Sequence, residues 1–239
     1  MIKKTLVVLL CALGLNAQAA LDPAQVRQLA AEDSTEKVAA IRQIVQAADP
    51  DAERVLTAMA DGNLYLANDK ALIIDGDKAL DAATGKDAKM PAEPESVTVN
   101  NRIRGELANA LAALKLFDAD PAVRLASAQK LQSSVSADMA PLLAKALEKE
   151  SDAQIKALLT TAHAQASLAN ADPAVRLAAV QALADANSPT IKAMLQPLTD
   201  KASEPEDKVR YAAIEAVKSI ERRLAVGETL GSVFTGVSL

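Results

Sequence analysis

The stretch DPAVRLASAQKL at residues 120–131 returns as DPAVRLAAVQAL at residues 172–183, fifty-two positions later, and this duplication decides how the rest of the chain is read. Each copy opens with an Asp that can cap the free backbone N–H groups of a helix, followed by a Pro whose fixed φ suits the first helical position. After Pro173 only Arg176 and Gln181 are polar, so the second copy predicts a helix apolar almost all round, covered by neighbours on more than one side. The last such segment, EDKVRYAAIEAVKSIERRL, matches the second copy thirty-four positions on, with Val209, Arg210, Ala212, Ala213 and Ile214 standing for Val175, Arg176, Ala178, Ala179 and Val180. A weaker copy is Lys37, Val38, Ala39, Ala40 and Ile41, matching Arg176 to Val180.

Composition agrees with helix on helix. Half of the 239 residues are hydrophobic, yet the chain has two Phe, two Tyr and no Trp. Cores built from Ala, Leu and Val with so few strand-favouring aromatics suit closely packed helices. Repeats of about 30 to 35 residues, each covering a helix pair, are the mark of stacked helical arrays. The expected fold class is therefore all-α: a HEAT-like α-solenoid of helical pairs with a small hairpin/loop insertion.

Outward from the duplication, the chain divides as follows. Residues 1–20 carry Lys3 and Lys4, an apolar run from Leu6 to Leu15, and the small-polar-small pattern Ala17, Gln18, Ala19, which together predict an export signal cleaved near Ala19 or Ala20. Cys11, the only cysteine, lies inside it, so a mature chain has no thiol or disulfide. Loss of the two lysines takes the formal charge from −5 to −7, which argues against a nucleic-acid partner. Residues 21–61 predict three short N-terminal helices. From 62 to 99 the helical period disappears: Leu64, Tyr65 and Leu66, then Ala71 to Ile74, predict a small hairpin, and the remainder, including MPAEPES, predicts loop. Residues 100–223 predict the helical-repeat solenoid, with Asn100 or Asn101 capping its first helix.

The repeated Arg124, Arg176 and Arg210 could form an anion-binding ladder, but the stronger reading is that they bridge neighbouring repeats. Catalysis has little to stand on. His163 has no second His and no Cys beside it, Asp75, Asp77 and Asp81 lack the ligand order of a calcium loop, and no phosphate loop or nucleophile elbow occurs. No cofactor, metal or catalytic residue is expected, and the chain is not read as an enzyme.

NNRIRGEL from Asn100, the tail AVGETLGSVFTGVSL from Ala225, the repeats and the signal together resemble the N-terminal extracytoplasmic region of the urea-type ABC transporter permease, B subunit, of the branched-chain amino-acid permease class. The resemblance runs over nearly the full length. It implies an accessory domain of an importer for urea or short amides on the periplasmic side of the cytoplasmic membrane. Its partners would be transporter subunits and the solute-binding protein. Docking would use a solenoid face or the 62–99 insertion, with Tyr65, Asn100, Arg102 and Arg104 as candidate contacts. In that family the stretch resembling residues 224–239 leads into membrane helices. The sequence ends at Leu239, so the expectation is a fragment of the permease, the product of a truncated gene or an independent exported domain, and the competing reading is a free-standing periplasmic scaffold or adaptor.

Overall fold

The computed structural model describes residues 21–47, 49–132 and 134–236; the expected signal at residues 1–20 and its cleavage site lie outside them. Ten α-helices follow in chain order: α1 (Pro23–Gln28), α2 (Ser34–Ala47), α3 (Ala52–Ala60), α4 (Asn101–Leu114), α5 (Pro121–Leu131), α6 (Ala140–Lys149), α7 (Ala153–Ser167), α8 (Pro173–Leu183), α9 (Pro189–Leu195) and α10 (Asp207–Gly236). Their starts are written in the sequence. The carboxylates of Asp22, Asp120, Asp152 and Asp172 each accept a backbone N–H of the first turn, and Asn100 and Ser188 do the same for α4 and α9. Losing one such cap costs about 1 kcal/mol.

The stacking unit is three helices rather than the expected pair. Within each unit the first two helices pack closely, α1 with α2, α4 with α5 and α7 with α8. The second and third then pack on the first helix of the next unit: α2 and α3 on α4, α5 and α6 on α7, α8 and α9 on α10. The first helices of the middle two units are capped at Asn100 and Asp152, the second helices at Asp120 and Asp172, so the fifty-two-residue period is the length of one unit. Two buried clusters result, and α7 joins them: Ile155, Leu159 and Ala162 belong to the larger, Ala164 and Leu168 to the smaller.

α8 does lie between α7 and α10, as its composition requires. It is not enclosed all round, however: Ala174, Ala178 and Ala182 form an exposed stripe. Alanine makes this cheap, because its single methyl exposes little apolar surface, and it leaves the burial to Ala179, Val180 and Leu183.

The arginines repeated along the chain bridge the units. Arg124 forks onto Glu150 in the turn before α7, Nε to Oε2 at 2.8 Å and Nη2 to Oε1 at 3.1 Å. Arg176 does the same to Glu204 in the turn before α10, at 2.6 and 2.7 Å. In both, Nη1 donates to the two carbonyls just ahead of its own helix, those of Asp118 and Ala119 or of Asn170 and Ala171. The degenerate copy keeps the role with different chemistry: buried Lys37 donates from Nζ to the carbonyl of Thr98, in the turn before α4, at 2.8 Å. Burial holds its ammonium below the usual lysine range. Arg210 departs from the pattern, binding the Glu204 carbonyl and Asp207 at the head of its own helix.

The insertion corrects the all-α expectation. It is a four-stranded antiparallel sheet of order β3-β2-β1-β4, built from β1 (Leu64–Ala67), β2 (Lys70–Asp75), β3 (Lys78–Asp81) and β4 (Glu95–Ser96). The expected hairpin is β1 with β2, paired Leu64 to Ile73 and Ala67 to Lys70, and turned by Asn68 and Asp69, both at positive φ. What read as loop is largely laddered: β3 returns from the Gly76 turn onto β2, and two residues of MPAEPES close on β1. Their shortness hid them, since neither strand is long enough to show an alternation. The sheet packs against α1 and α3 and contributes Leu64, Ala71, Ala82, Ala83 and Val97 to the larger core.

Arg54 of α3 holds the sheet's outer turn, donating to the Ala82 carbonyl at 3.1 Å and pairing with Asp51 at 3.4 Å. Gly85 lies across its guanidinium at φ +68°, where a Cβ would stand 3.1 Å from Arg54 Cζ. Gly85→Ala is thus expected to cost about 1–2 kcal/mol, from the positive φ and the displaced guanidinium. Thermal unfolding should show a Tm lower by several degrees, whereas Gly62→Ala, strained but with open space around it, should lose less.

The tail does not begin at a break. α10 continues through residue 224 to Gly236, and no helix among the described residues is long and apolar enough to cross a membrane.

Candidate functional site

Two concavities flank α4, and each uses one of its faces. On one side a cavity of about 300 Å³ lies between α2, α4, α6 and residues 134–139. Its wall is apolar, with Ile41, Val45, Ala113 and Leu142, and its charges are already matched. Arg42 Nε donates to Glu106 Oε1 at 2.7 Å and lies 3.3 Å from Asp138 Oδ2, while Gln46 donates to the Asp138 carbonyl at 3.1 Å. The Glu106 hydrogen bond and the neighbouring carboxylates raise the Arg42 pKa above its ordinary value. This arrangement clasps the first unit to the second.

On the other side a groove of about 640 Å³ runs between α4 and α5, closed at one end by Ala60 of α3. Its floor is Leu107, Leu111, Ala112, Val123 and Ala126. Arg104, Leu107, Leu111 and Lys115 recur at helical spacing, which sets them in one stripe about 16 Å long on α4 and the 3-10 turn (Lys115–Phe117) that continues it. On α5 the residues are Ala122, Ala126 and Lys130, the counterpart of the exposed alanine stripe of α8. Every charged residue lining the groove is a cation, Arg104, Lys115 or Lys130, in a chain whose formal charge is −5. An apolar floor with charges of one sign at its rim can hold an apolar segment carrying the opposite sign.

Residues 160–228 match the HEAT-repeat family model. The matched segment covers the second half of α7, all of α8 and α9 and the greater part of α10. No curated protein matches the chain. The groove lies N-terminal to the matched residues.

Of the four candidate contacts only Arg104 reaches the groove, exposed and bound to Asn101 Oδ1 through one N–H at 2.8 Å. Asn100 is occupied with structure: its Oδ1 accepts from Ile103 N and its Nδ2 donates to Ser34 Oγ, both at 2.9 Å. Arg102, two residues before Arg104 and so on nearly the opposite side of the helix, lies toward the head of α2. There the Asp33 carboxyl is held below its ordinary value, first by the Glu36 and Thr35 N–H groups and in part by Arg102. Tyr65 is half-buried in β1, paired with Leu72 and Ser96. The four therefore do not converge. Lys115 and Lys130 were missed, although aligning the two fifty-two-residue units shows Ser167 and Ala182 in their places.

His163 is half-buried on α7. Asp81 accepts from the N–H and hydroxyl of Thr84 in the turn after β3. Among the described residues no group of His, Cys, Asp and Glu is placed to hold a metal ion.

Proposed function

We propose that this chain is an extracytoplasmic accessory domain of an ABC importer permease for urea or short amides, acting on the periplasmic side of the cytoplasmic membrane by docking to other proteins. The observation that carries docking is the α4/α5 groove, an apolar floor rimmed only by cations. The solute class rests on the resemblance of NNRIRGEL and the tail to the urea-type permease. The helical-repeat architecture supports a scaffold, since stacked helices present long surfaces to partners.

Uptake tests the importer reading. Deleting the chain is expected to lower uptake of labelled urea or acetamide, at external concentrations too low for passive entry to dominate, by about fivefold or more. The full chain supplied in trans should restore it. Uptake unchanged for both solutes sinks the importer reading and leaves the alternative, a free-standing periplasmic helical-repeat adaptor using the same surface.

A further inference from the structure

The duplication supplies an internal reference for the groove. Fifty-two residues after α4 and α5 come α7 and α8, the same helix pair capped at equivalent positions, Asn100 and Asp152 for the first helix and Asp120 and Asp172 for the second, but built on different surface residues. Leu111 and Ala108 of the first pair become His163 and Thr160 in the second. Lys115 and Lys130 become Ser167 and Ala182, and Arg104 becomes Lys156. The first pair thus presents an apolar floor with three cations, and the second a more polar floor with one. The second pair forms the same two helices without equivalents of Lys115 and Lys130.

We infer that the α4/α5 groove binds an acidic amphipathic helix of a partner protein, its apolar stripe laid on Leu111, Val123 and Ala126 and its carboxylates directed at Arg104, Lys115 and Lys130. This deepens the docking reading and rests on it only in treating the chain as a protein-binding module. The dimensions fit. The α4 stripe from 104 to 115 spans three helical turns, so a partner helix of about eleven residues at 1.5 Å per residue covers it. Ala122 and Ala126 keep the α5 wall low, which lets a second helix lie close, and residues at i, i+3, i+4 and i+7 of that helix meet the floor. The cations at both ends of the α4 stripe select an acidic partner and reject a basic one.

The test uses the full-length chain and a fluorescein-labelled helical peptide of about sixteen residues, long enough to overhang the stripe at both ends. It carries leucines at i, i+3, i+4 and i+7 and glutamates on both flanks; a second peptide has lysine for every glutamate. Anisotropy is expected to give binding about tenfold or more tighter for the glutamate peptide. K115S/K130A places at each position the residue already found in the second pair, so circular dichroism and Tm should stay close to those of the wild type. This variant should weaken the glutamate peptide about tenfold and flatten its salt dependence. Lys156→Ser should change nothing. Equal binding of the two peptides, or K115S/K130A binding as tightly as wild type, overturns the inference. If the glutamate peptide fails to bind while chain-dependent uptake persists, the groove assignment falls and docking through another surface remains. If it binds as expected and uptake is indifferent to the chain, the groove stands and the importer reading falls.

Discussion

Arg176→Met is expected to lower the unfolding free energy by about 3–5 kcal/mol. The cost comes from what is left behind. Glu204 is buried, its side chain 1% exposed, and both its oxygens take hydrogen bonds from the guanidinium. Without Arg176 the carboxylate keeps the Glu206 N–H hydrogen bond and the charge of Arg210, and the carbonyls of Asn170 and Ala171 lose their donor. Arg176→Lys keeps the charge but loses the fork, and falls between the two. The double variant Arg176→Met/Glu204→Leu should recover much of the loss, because a well-packed apolar pair avoids the desolvated charge. Urea unfolding at pH 7 reads all three. A single variant within about 1 kcal/mol of wild type would place the pair among weak surface bridges and remove its role in joining the units.

Acid should undo the same joints. The Arg124 side-chain hydrogen bond is the main influence holding the Glu150 carboxyl down to about 2, helped by the Asp152 and Ser151 N–H groups and opposed by burial. Glu204 is lowered in the same way, by Arg176 first. A carboxyl depressed in the folded state stabilises fully above its unfolded pKa, near 4.5, and loses that contribution as pH falls toward the folded value. Stability is therefore expected to drop between about pH 4.5 and 2, by about 2–3 kcal/mol for Glu150 after screening at the turn. Glu150→Gln should be less stable at pH 7 yet show a shallower decline over that window, measured by urea midpoints at successive pH values. A variant that declines as steeply as wild type would place the acid sensitivity elsewhere.

The sequence made the helices legible because Asp-Pro starts and apolar spacing are local signals, and the structure uses those caps. It made the bridging role of Arg124 and Arg176 legible too, since a charge repeated at the same helical position faces the same neighbour in each unit. It did not make their partners legible. Glu150 and Glu204 lie in turns 26 and 28 residues on, offsets that differ because the two turns differ in length. The three-helix unit was obscured for a related reason: α10 matches α8 in pattern although it follows the first position of a unit, not the second. β3 and β4 were beyond any periodicity argument, having too few residues to alternate. The groove was half visible. Arg104 stood out by charge beside a family-like motif, whereas Lys115, Lys130 and the alanines of α5 become a site only when two helices are laid side by side.

The ends of the sheet insertion have a further consequence. Val97 N donates to the Leu64 carbonyl at 3.0 Å, Asn63 N to that of Ala58 at 2.7 Å, and Lys37 holds Thr98. The chain thus leaves the helical stack and rejoins it at one point, with its exit and return fastened to each other and to α2 and α3. Gly76, in the turn between β2 and β3, has open space around it and contributes nothing to the core. Extra residues inserted there meet a base already closed, so this turn can be lengthened in engineering while Ala71, Ala82 and Ala83 keep their places against the helices.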